Sequence, residues 1–446
     1  MSFLHYLNRK LVGPVSDRVL GRSIFSKLRF LEESQWWDKE RITAFQNEQL
    51  RNITEHAYNE IPHYKHLWDS HGIKPEQIQS IEDLKKLPIV KKSDIRKIAA
   101  SRKHRKKRVI DGVSSGSTGE PLQYTKSVES YSMHTSTALR GWQWMGFNLG
   151  DRYMKISQNP RKGLLKKTQD IINRSQYVFL KDISEPEFEK LYREICKSEP
   201  KFLRSYPDPL LFFSRFIQKK EYELPSIKAI NTTGNILTQE ARREIETALN
   251  STIYDAYSCE GGAVFYQTEE GPDYIGADEY AITEIVDENG DEVQPGEKGR
   301  MVTTDLWNTE TPFIRYDTQD IVTKATESDL YSRQSSRLQS VAGRDCDILI
   351  TPDGKLVIVH IFTIFFEWYH SVEQFQAIQE TETRFRILLV VNEQFSKKDR
   401  EEIEMYWKEY FGKKAEVIIE ITDEIPPRRT GKRRFLVRDE KIPLPF

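Results

Sequence analysis

From residue 109 to residue 257 the sequence alternates between short strand-forming runs and helical runs. Strands are expected at 109–113, 151–157, 176–181, 226–232 and 252–257, and helices at 128–146, 186–198 and 238–250. Strands that alternate with helices need crossover connections, so they lie mostly parallel in a sheet with helices packed against it. From about residue 279 the character changes. Short β runs at 279–286, 299–306 and 312–316 are separated by turn clusters, Glu288-Asn289-Gly290-Asp291 and Gln294-Pro295-Gly296-Glu297. Beyond residue 345 the pattern predicts strands at 347–350 and 356–359, a helix at 363–379, a strand at 384–391, a helix at 397–411 and a strand at 415–421. The expected fold class is α/β. A large N-terminal α/β domain, residues 1–345, carries a β-rich subdomain at about 279–342, and a small C-terminal α+β domain, residues 346–446, is joined to it near 343–347.

A chain of 446 residues suggests two or three domains. With 38% hydrophobic and 30% charged residues it reads as soluble and globular, and a net charge of −1 supplies no global field toward nucleic acid or anionic lipid. The run SRKHRKKR at 101–108 is the exception, a cationic cluster that binds phosphates or lies solvated as a loop. Cys196, Cys259 and Cys346 are far apart and odd in number, which indicates neither a disulfide framework nor a zinc site and points to a reducing, cytoplasmic compartment. No apolar stretch approaches the ~20 residues needed to span a bilayer. Residues 1–31 read as a basic amphipathic helix, packed on its own domain or lying in peripheral contact with a membrane. Residues 35–70 read as helix, stopped or kinked at Pro62.

The segment Ser114-Ser115-Gly116-Ser117-Thr118-Gly119-Glu120-Pro121-Leu122 follows the first strand of the α/β region. Glycines let the backbone turn sharply and approach a ligand closely, and hydroxyls with backbone N–H groups can surround phosphate oxygens. It is not a Walker A loop, because no Gly-Lys-Ser/Thr follows at the required spacing. Alone it also reads as a flexible turn. Gly112-Val113-Ser114-Ser115-Gly116 further matches the G-x-S-x-G elbow of serine hydrolases, with Ser114 as nucleophile. That elbow needs a strand, a tight turn and an immediate helix, whereas here Gln123-Tyr124-Thr125 reads as extended.

The loop resembles the S-S-G-T/S-T-G-x-P signature of the adenylate-forming (ANL) superfamily. More narrowly, the chain resembles its phenylacetate–CoA ligase branch and the CapK-like members linked to polysaccharide assembly. Further segments carry the resemblance in order. Thr233-Gly234-Asn235-Ile236-Leu237-Thr238-Gln239-Glu240 is similar to the family's segment beside the adenine pocket, although Thr238 also reads as a plain helix N-cap. Tyr257-Ser258-Cys259-Glu260 is similar to Y-G-x-T-E, with the Tyr–Glu spacing one residue shorter than usual. Gly296-Glu297-Lys298-Gly299-Arg300-Met301-Val302-Thr303-Thr304, with Pro312-Phe313-Ile314-Arg315-Tyr316-Asp317-Thr318-Gln319-Asp320, is the longest match. Gln319 stands where the family has glycine, so a different local backbone geometry is expected. Gly343-Arg344-Asp345-Cys346-Asp347 resembles G-R-x-D-D, and Pro427-Arg428-Arg429-Thr430-Gly431-Lys432 resembles the C-terminal lysine motif.

The resemblance implies a two-step reaction with ATP and Mg²⁺. A small-molecule carboxylic acid forms acyl-AMP, and the acyl group then passes to CoA or a carrier-protein thiol, with no nucleic-acid partner. It implies that Ser114, Ser115, Gly116, Ser117, Thr118 and Gly119 handle phosphates, Tyr257 lies against adenine, and Glu260 binds the magnesium. It implies also that Asp320 holds the ribose hydroxyls, Arg344 reaches the nucleotide, Asp345 is the hinge of a mobile C-terminal domain, and Lys432 neutralises charge during adenylation. Glu120 stands where many members carry lysine, so either Lys126 or Arg105 compensates or ATP binding is weaker than usual. The alternatives are an adenylating transferase to a sugar or amine acceptor without CoA, the Ser114 hydrolase, and a non-catalytic scaffold of the same fold.

Overall fold

The computed structural model describes residues 8–101, 108–113, 122–157, 170, 174–181, 183–235, 237–342, 348–366, 369, 371–425, 435–439 and 442. After a π-helical turn at Asn8–Val12 come α1 (Gly13–Leu20) and α2 (Ile24–Ser34). Gly21 between them is left-handed, φ 60°, so the single amphipathic helix expected at 1–31 is broken in two. Asp38 caps α3 (Lys39–Glu60), its carboxylate accepting from the Arg41 N–H at 2.8 Å. Pro62 then opens α4 (Pro62–Ser70), where a first-turn proline forgoes no helical hydrogen bond. After α5 (Lys92–Ser101), β1 (Val109–Val113) and β2 (Gln123–Ser127) pair antiparallel, and α6 (Val128–Trp144) follows. Among the described residues no helix is long and apolar enough to cross a membrane.

Among the described residues the central sheet has 11 strands. Its parallel half comprises β3 (Tyr153–Ser157), β4 (Ser175–Phe179), β5 (Phe202–Ser205), β6 (Ala229–Thr233) and β7 (Thr252–Ser258), with α7 (Glu185–Ser198), α8 (Pro207–Lys220) and α9 (Gln239–Leu249) in the connections. Alternate residues of a strand face opposite layers. Phe202 joins the core that holds Met133, Trp142 and Trp144 of α6, while Leu203 joins the core built on Leu191 of α7 and Phe213 of α8. The antiparallel half comprises β8 (Val264–Thr268), β9 (Gly271–Gly276), β10 (Ala281–Val286), β11 (Lys298–Asp305), β12 (Tyr316–Lys324) and β13 (Arg337–Ala342), and the strand order is β10-β11-β12-β13-β9-β8-β7-β6-β5-β3-β4. The β-rich region expected after 279 is therefore continuous with the parallel sheet. A buried ion pair, Arg140–Glu279 at 2.7 Å with both side chains 1% exposed, ties α6 to the turn before β10, and Ser34 at the end of α2 donates to the same carboxylate.

The C-terminal elements form separate sheets. β14 (Ile348–Ile350) and β15 (Leu356–Ile358) pair, α10 (Val359–Phe366) follows, and β16 (Val372–Gln379), β17 (Arg384–Val391), β18 (Glu416–Ile421) and β19 (Leu436–Arg438) order as β18-β17-β16-β19. The remaining helix, α11 (Lys397–Phe411), stacks Trp407 on Phe362 of α10, ring centroids 3.8 Å apart. The single helix expected at 363–379 is thus a helix ending at Phe366 and a strand. A bulge between Val372 and Gln374 inserts a residue into β16, so the apolar spacing Val372–Phe375 mimics a helical i,i+3 step. The domain junction expected at 343–347 lies outside the described residues.

A strand was also expected at 312–316, but β12 begins only at Tyr316. The break is Arg315, left-handed at φ 51° and 5% exposed. Its Nε donates to Glu284 Oε1 at 3.1 Å, its Nη1 to the carbonyls of Lys85 and Leu87 at 3.2 and 2.7 Å, and its Nη2 to the Gly290 carbonyl at 3.2 Å. The backbone adds Val90 N–H to Arg315 O at 2.8 Å and Asp317 N–H to Val90 O at 2.9 Å. Arg315 therefore straps the N-terminal helical region onto the antiparallel half of the sheet. Truncating it would leave the half-buried Glu284 and three carbonyls without their partner. Arg315→Ala is expected to lower the unfolding free energy by about 3–5 kcal/mol, read by urea denaturation; a loss within the range of ordinary surface substitutions would contradict the strap. Gln319, exposed and at φ 63°, is left-handed, a conformation that favours glycine, and its N–H donates to Asp317 Oδ1 at 2.8 Å. Left-handed backbone costs a residue with a Cβ about 1–2 kcal/mol. Gln319→Gly retains the N–H donor and is expected to raise stability by about 1 kcal/mol; an unchanged or lower urea midpoint would contradict this.

Candidate functional site

Val113 of β1 lies opposite Gln123 of β2. The strand before Ser114 and the strand that begins at Gln123 are therefore antiparallel neighbours, with Gln123-Tyr124-Thr125 extended as expected. Ser114, Ser115, Gly116, Ser117, Thr118, Gly119 and Glu120 themselves lie outside the described residues, as do Arg105, Arg344, Asp345 and Lys432.

The sequence-predicted residues that are described come together. Tyr257 is near the end of β7, Glu260 is on the turn that follows, and Asp320 is on β12. The strands β7 and β12 are not neighbours in the sheet order, yet the Tyr257 hydroxyl donates to Asp320 Oδ2 at 2.8 Å. The sheet curls so that the turn after β7 lands on β11. At Gly261 a Cβ would sit 2.4 Å from Thr303 Cγ2, and the Thr303 hydroxyl donates to the Gly261 carbonyl at 3.2 Å. Gly262 is left-handed, φ 93°, and its Cβ would come within 3.1 Å of Asp305. Only glycine tolerates both the conformation and the approach. Burial, then the adjacent Asp320 charge, pushes the Tyr257 hydroxyl well above its ordinary range, so it stays a donor. The Asp320 N–H donates to Thr318 Oγ1 at 3.2 Å, and that hydroxyl donates to the Met301 carbonyl at 3.0 Å, which locks the backbone of this corner onto β11.

Beneath the turn is a polar cluster that the sequence motifs did not reveal. Asp305 at the end of β11 is fully buried, and its Oδ1 accepts from the N–H groups of Trp307 and Asn308 at 2.7 and 3.0 Å. Ser130 of α6 donates to Asp305 Oδ2 at 3.3 Å, and Lys126 Nζ donates to the Tyr280 hydroxyl at 3.4 Å. Burial pushes the Asp305 carboxyl up to about 6, although Lys126 and the two N–H groups pull it down. Burial likewise pushes the Lys126 ammonium down, opposed by Asp305, Cys259 and Glu260. Lys126 is therefore engaged from below by Asp305 and Tyr280, within electrostatic reach of Glu260. Nothing in the spacing of Asp305 or Tyr280 marks them; only the curl of the sheet places them under Glu260.

In the segment 233–238, Thr238 is an N-cap as its alternative reading had it, accepting from Ala241 N–H at 3.1 Å. Gly234 is left-handed, φ 89°, with Tyr206 close enough that a Cβ would sit 2.5 Å from its ring. Asn235 donates to Asp208 at 2.6 Å.

The chain is similar to known proteins in sequence and fold. The family model of the CapK C-terminal domain matches residues 349–439. Protein CapK of Staphylococcus aureus is 21% identical over 446 residues, covering 97% of this chain and 97% of that protein. The phenylacetate–coenzyme A ligase of Aromatoleum evansii is 25% identical over 333 residues, 72% of this chain and 74% of that protein. Among solved structures, 2-hydroxyisobutyryl-CoA ligase in its postadenylation state superposes with a TM-score of 0.60 at 16% identity, covering 92% of each chain, which shows a shared fold. The CapK domain model over residues 349–439, the whole-length likeness to CapK and that shared fold agree with the ordered motifs at Tyr257–Glu260 and Arg315–Asp320, and together they support an adenylate-forming protein similar to CapK and the phenylacetate–CoA ligases.

Proposed function

We propose that this protein is a ligase that uses ATP to activate a carboxylic acid as acyl-AMP and then passes the acyl group to a thiol, that of CoA or of a carrier protein. The observation that carries the reading is the Tyr257–Asp320 hydrogen bond, beside the carboxyl ends of the parallel strands, where open α/β sheets hold their ligands. A carboxylate suits a vicinal diol because both hydroxyls can donate to it. Asp320 is the ribose acceptor, with Tyr257 fixing the carboxylate's orientation. Glu260 is the carboxylate for Mg²⁺. Among the described residues no group of three or more His, Cys, Asp or Glu is arranged to hold a metal. Mg²⁺ keeps waters and is bound through one or two carboxylates plus substrate phosphates, so a single protein carboxylate is enough to hold it there. When bound, the ion draws negative charge from the phosphate oxygens.

The remaining roles follow from the motifs. Ser114, Ser115, Ser117 and Thr118, with the backbone of Gly116 and Gly119, cradle the phosphates, and Arg344 reaches the nucleotide. Attack by the acid's oxygen on the α-phosphorus brings two anions together as pyrophosphate leaves. Lys432 sits between them and lowers that barrier. Sulfur then attacks the acyl carbon, the bond to the AMP oxygen breaks, and AMP leaves. The C-terminal domain turns about Asp345 between the halves. Supporting this, structures of 2-hydroxyisobutyryl-CoA ligase hold R3-HIB-AMP in a postadenylation state, and 2-HIB-AMP with CoA in a thioesterification state. The likeness to CapK supports a place in cell-surface polysaccharide assembly, and the free thiols of Cys196 and Cys259 suit a cytoplasmic setting.

ATP–pyrophosphate exchange, screened over aryl, fatty, hydroxy and amino acids, tests the reading; no exchange with any acid would contradict it. Lys432→Ala is expected to lower exchange by about 10²–10³-fold while leaving transfer from preformed acyl-AMP largely intact, and equal loss of both would count against its role. Asp320→Ala is expected to raise KM for ATP about ten- to a hundredfold, the loss of one hydrogen-bonding charged group; an unchanged KM would remove Asp320 from the ribose site.

A further inference from the structure

The sheet face under α6 carries polar groups to which the adenylation reading gives no task. Arg204 of β5 and Asn231 of β6 are register partners on neighbouring parallel strands. Both therefore project to one face, the face on which Phe202 and Ala229 join the core under α6. The Arg204 guanidinium lies 5.3 Å from the Trp142 ring centroid, and among the described residues no carboxylate pairs with it. Asn231 is 1% exposed; its Nδ2 donates to the Tyr254 carbonyl at 3.0 Å, while its Oδ1 is buried without a donor.

The facing helix supplies more of the same. His134 Nδ1 and Thr137 Oγ1 are buried without partners. His134, Thr137 and Gly141 share a helix face at i, i+3 and i+7. At Gly141 a Cβ would sit 2.5 Å from the Tyr266 ring, so the helix is pressed against the sheet there. Burial, then the charges of Lys126 and Arg204, holds the His134 ring well below the ordinary histidine range, so it is neutral. Through Lys126 this region adjoins Glu260.

Buried polar groups in native interiors are nearly always paired. Orphans gathered around a guanidinium without a counter-charge describe a receptor for a polar anion, because guanidinium stays charged and binds carboxylate by paired N–H donors. A pocket for a plain aryl or fatty acid would be lined by apolar groups with no such charge.

We propose that Arg204, with Asn231, His134 and Thr137, receives the far end of the acid substrate and that this end carries a second anionic group. The substrate class is then dicarboxylic or similarly doubly anionic acids. This rests on the adenylation reading of the neighbouring site.

The test is calorimetric titration of the full chain with adipate and with hexanoate, which differ only in the distal carboxylate. Adipate is expected to bind about ten- to a hundredfold more tightly. Arg204→Met is expected to abolish that preference, and Arg204→Lys, which keeps the charge, to retain most of it. Equal or tighter binding of hexanoate, no binding of either acid, or a preference that survives Arg204→Met would overturn the proposal. Pyrophosphate exchange separates the two readings. Exchange with hexanoate or phenylacetate but not adipate sinks the substrate class and leaves adenylation standing. Arg204-dependent adipate binding, with no exchange from any acid, sinks adenylation and leaves the anion site standing.

Discussion

The contact on which the candidate site depends is the landing of the turn after β7 on β11. Gly261 leaves room for Thr303 at a distance no Cβ would allow, and the left-handed Gly262 lies where a Cβ would press on Asp305. With that landing, the parallel and antiparallel halves of one sheet face each other, and Tyr257 and Asp320 meet although their strands are not adjacent. Without it, Glu260 would point away from β12 and the motifs would be scattered along an open sheet.

Support for that curl comes from charges placed where water is absent. Arg315 binds the N-terminal region to the antiparallel half through Glu284 and three carbonyls. Arg140 and Glu279 join α6 to the start of β10. Such pairs stabilise little against well-packed apolar substitutes, yet breaking one strands its partner. They act as locks on geometry: the corner from Arg315 to Asp320 contains two left-handed residues with side chains, Arg315 and Gln319, held by hydrogen bonds on both sides.

Much of this was legible in the sequence. The elements expected between 128 and 257 emerge within a few residues of their observed ends, but the strand Phe202–Ser205 and the helix Pro207–Lys220 were not expected. The misreadings have local causes. The bulge in β16 counterfeited a helical step, and Arg315 interrupts what reads as a strand. The hairpin of β8 and β9 escaped because every residue of Val264–Thr268 is buried, which erases the alternation that marks a strand. Tyr257, Glu260 and Asp320 stand out because their neighbours form motifs. Arg204, Asn231 and Asp305 do not, since their meaning lies in strand register and in the curl.

The central claim is that the acid is activated at phosphorus by adenylation beside Asp320. It is tested most directly by following oxygen from an acid labelled with ¹⁸O in its carboxylate through one turnover to the thioester. Adenylation breaks the acyl carbon–oxygen bond last and leaves one labelled oxygen in AMP. Label recovered in inorganic phosphate, or absent from AMP after thioester has formed, would contradict the account.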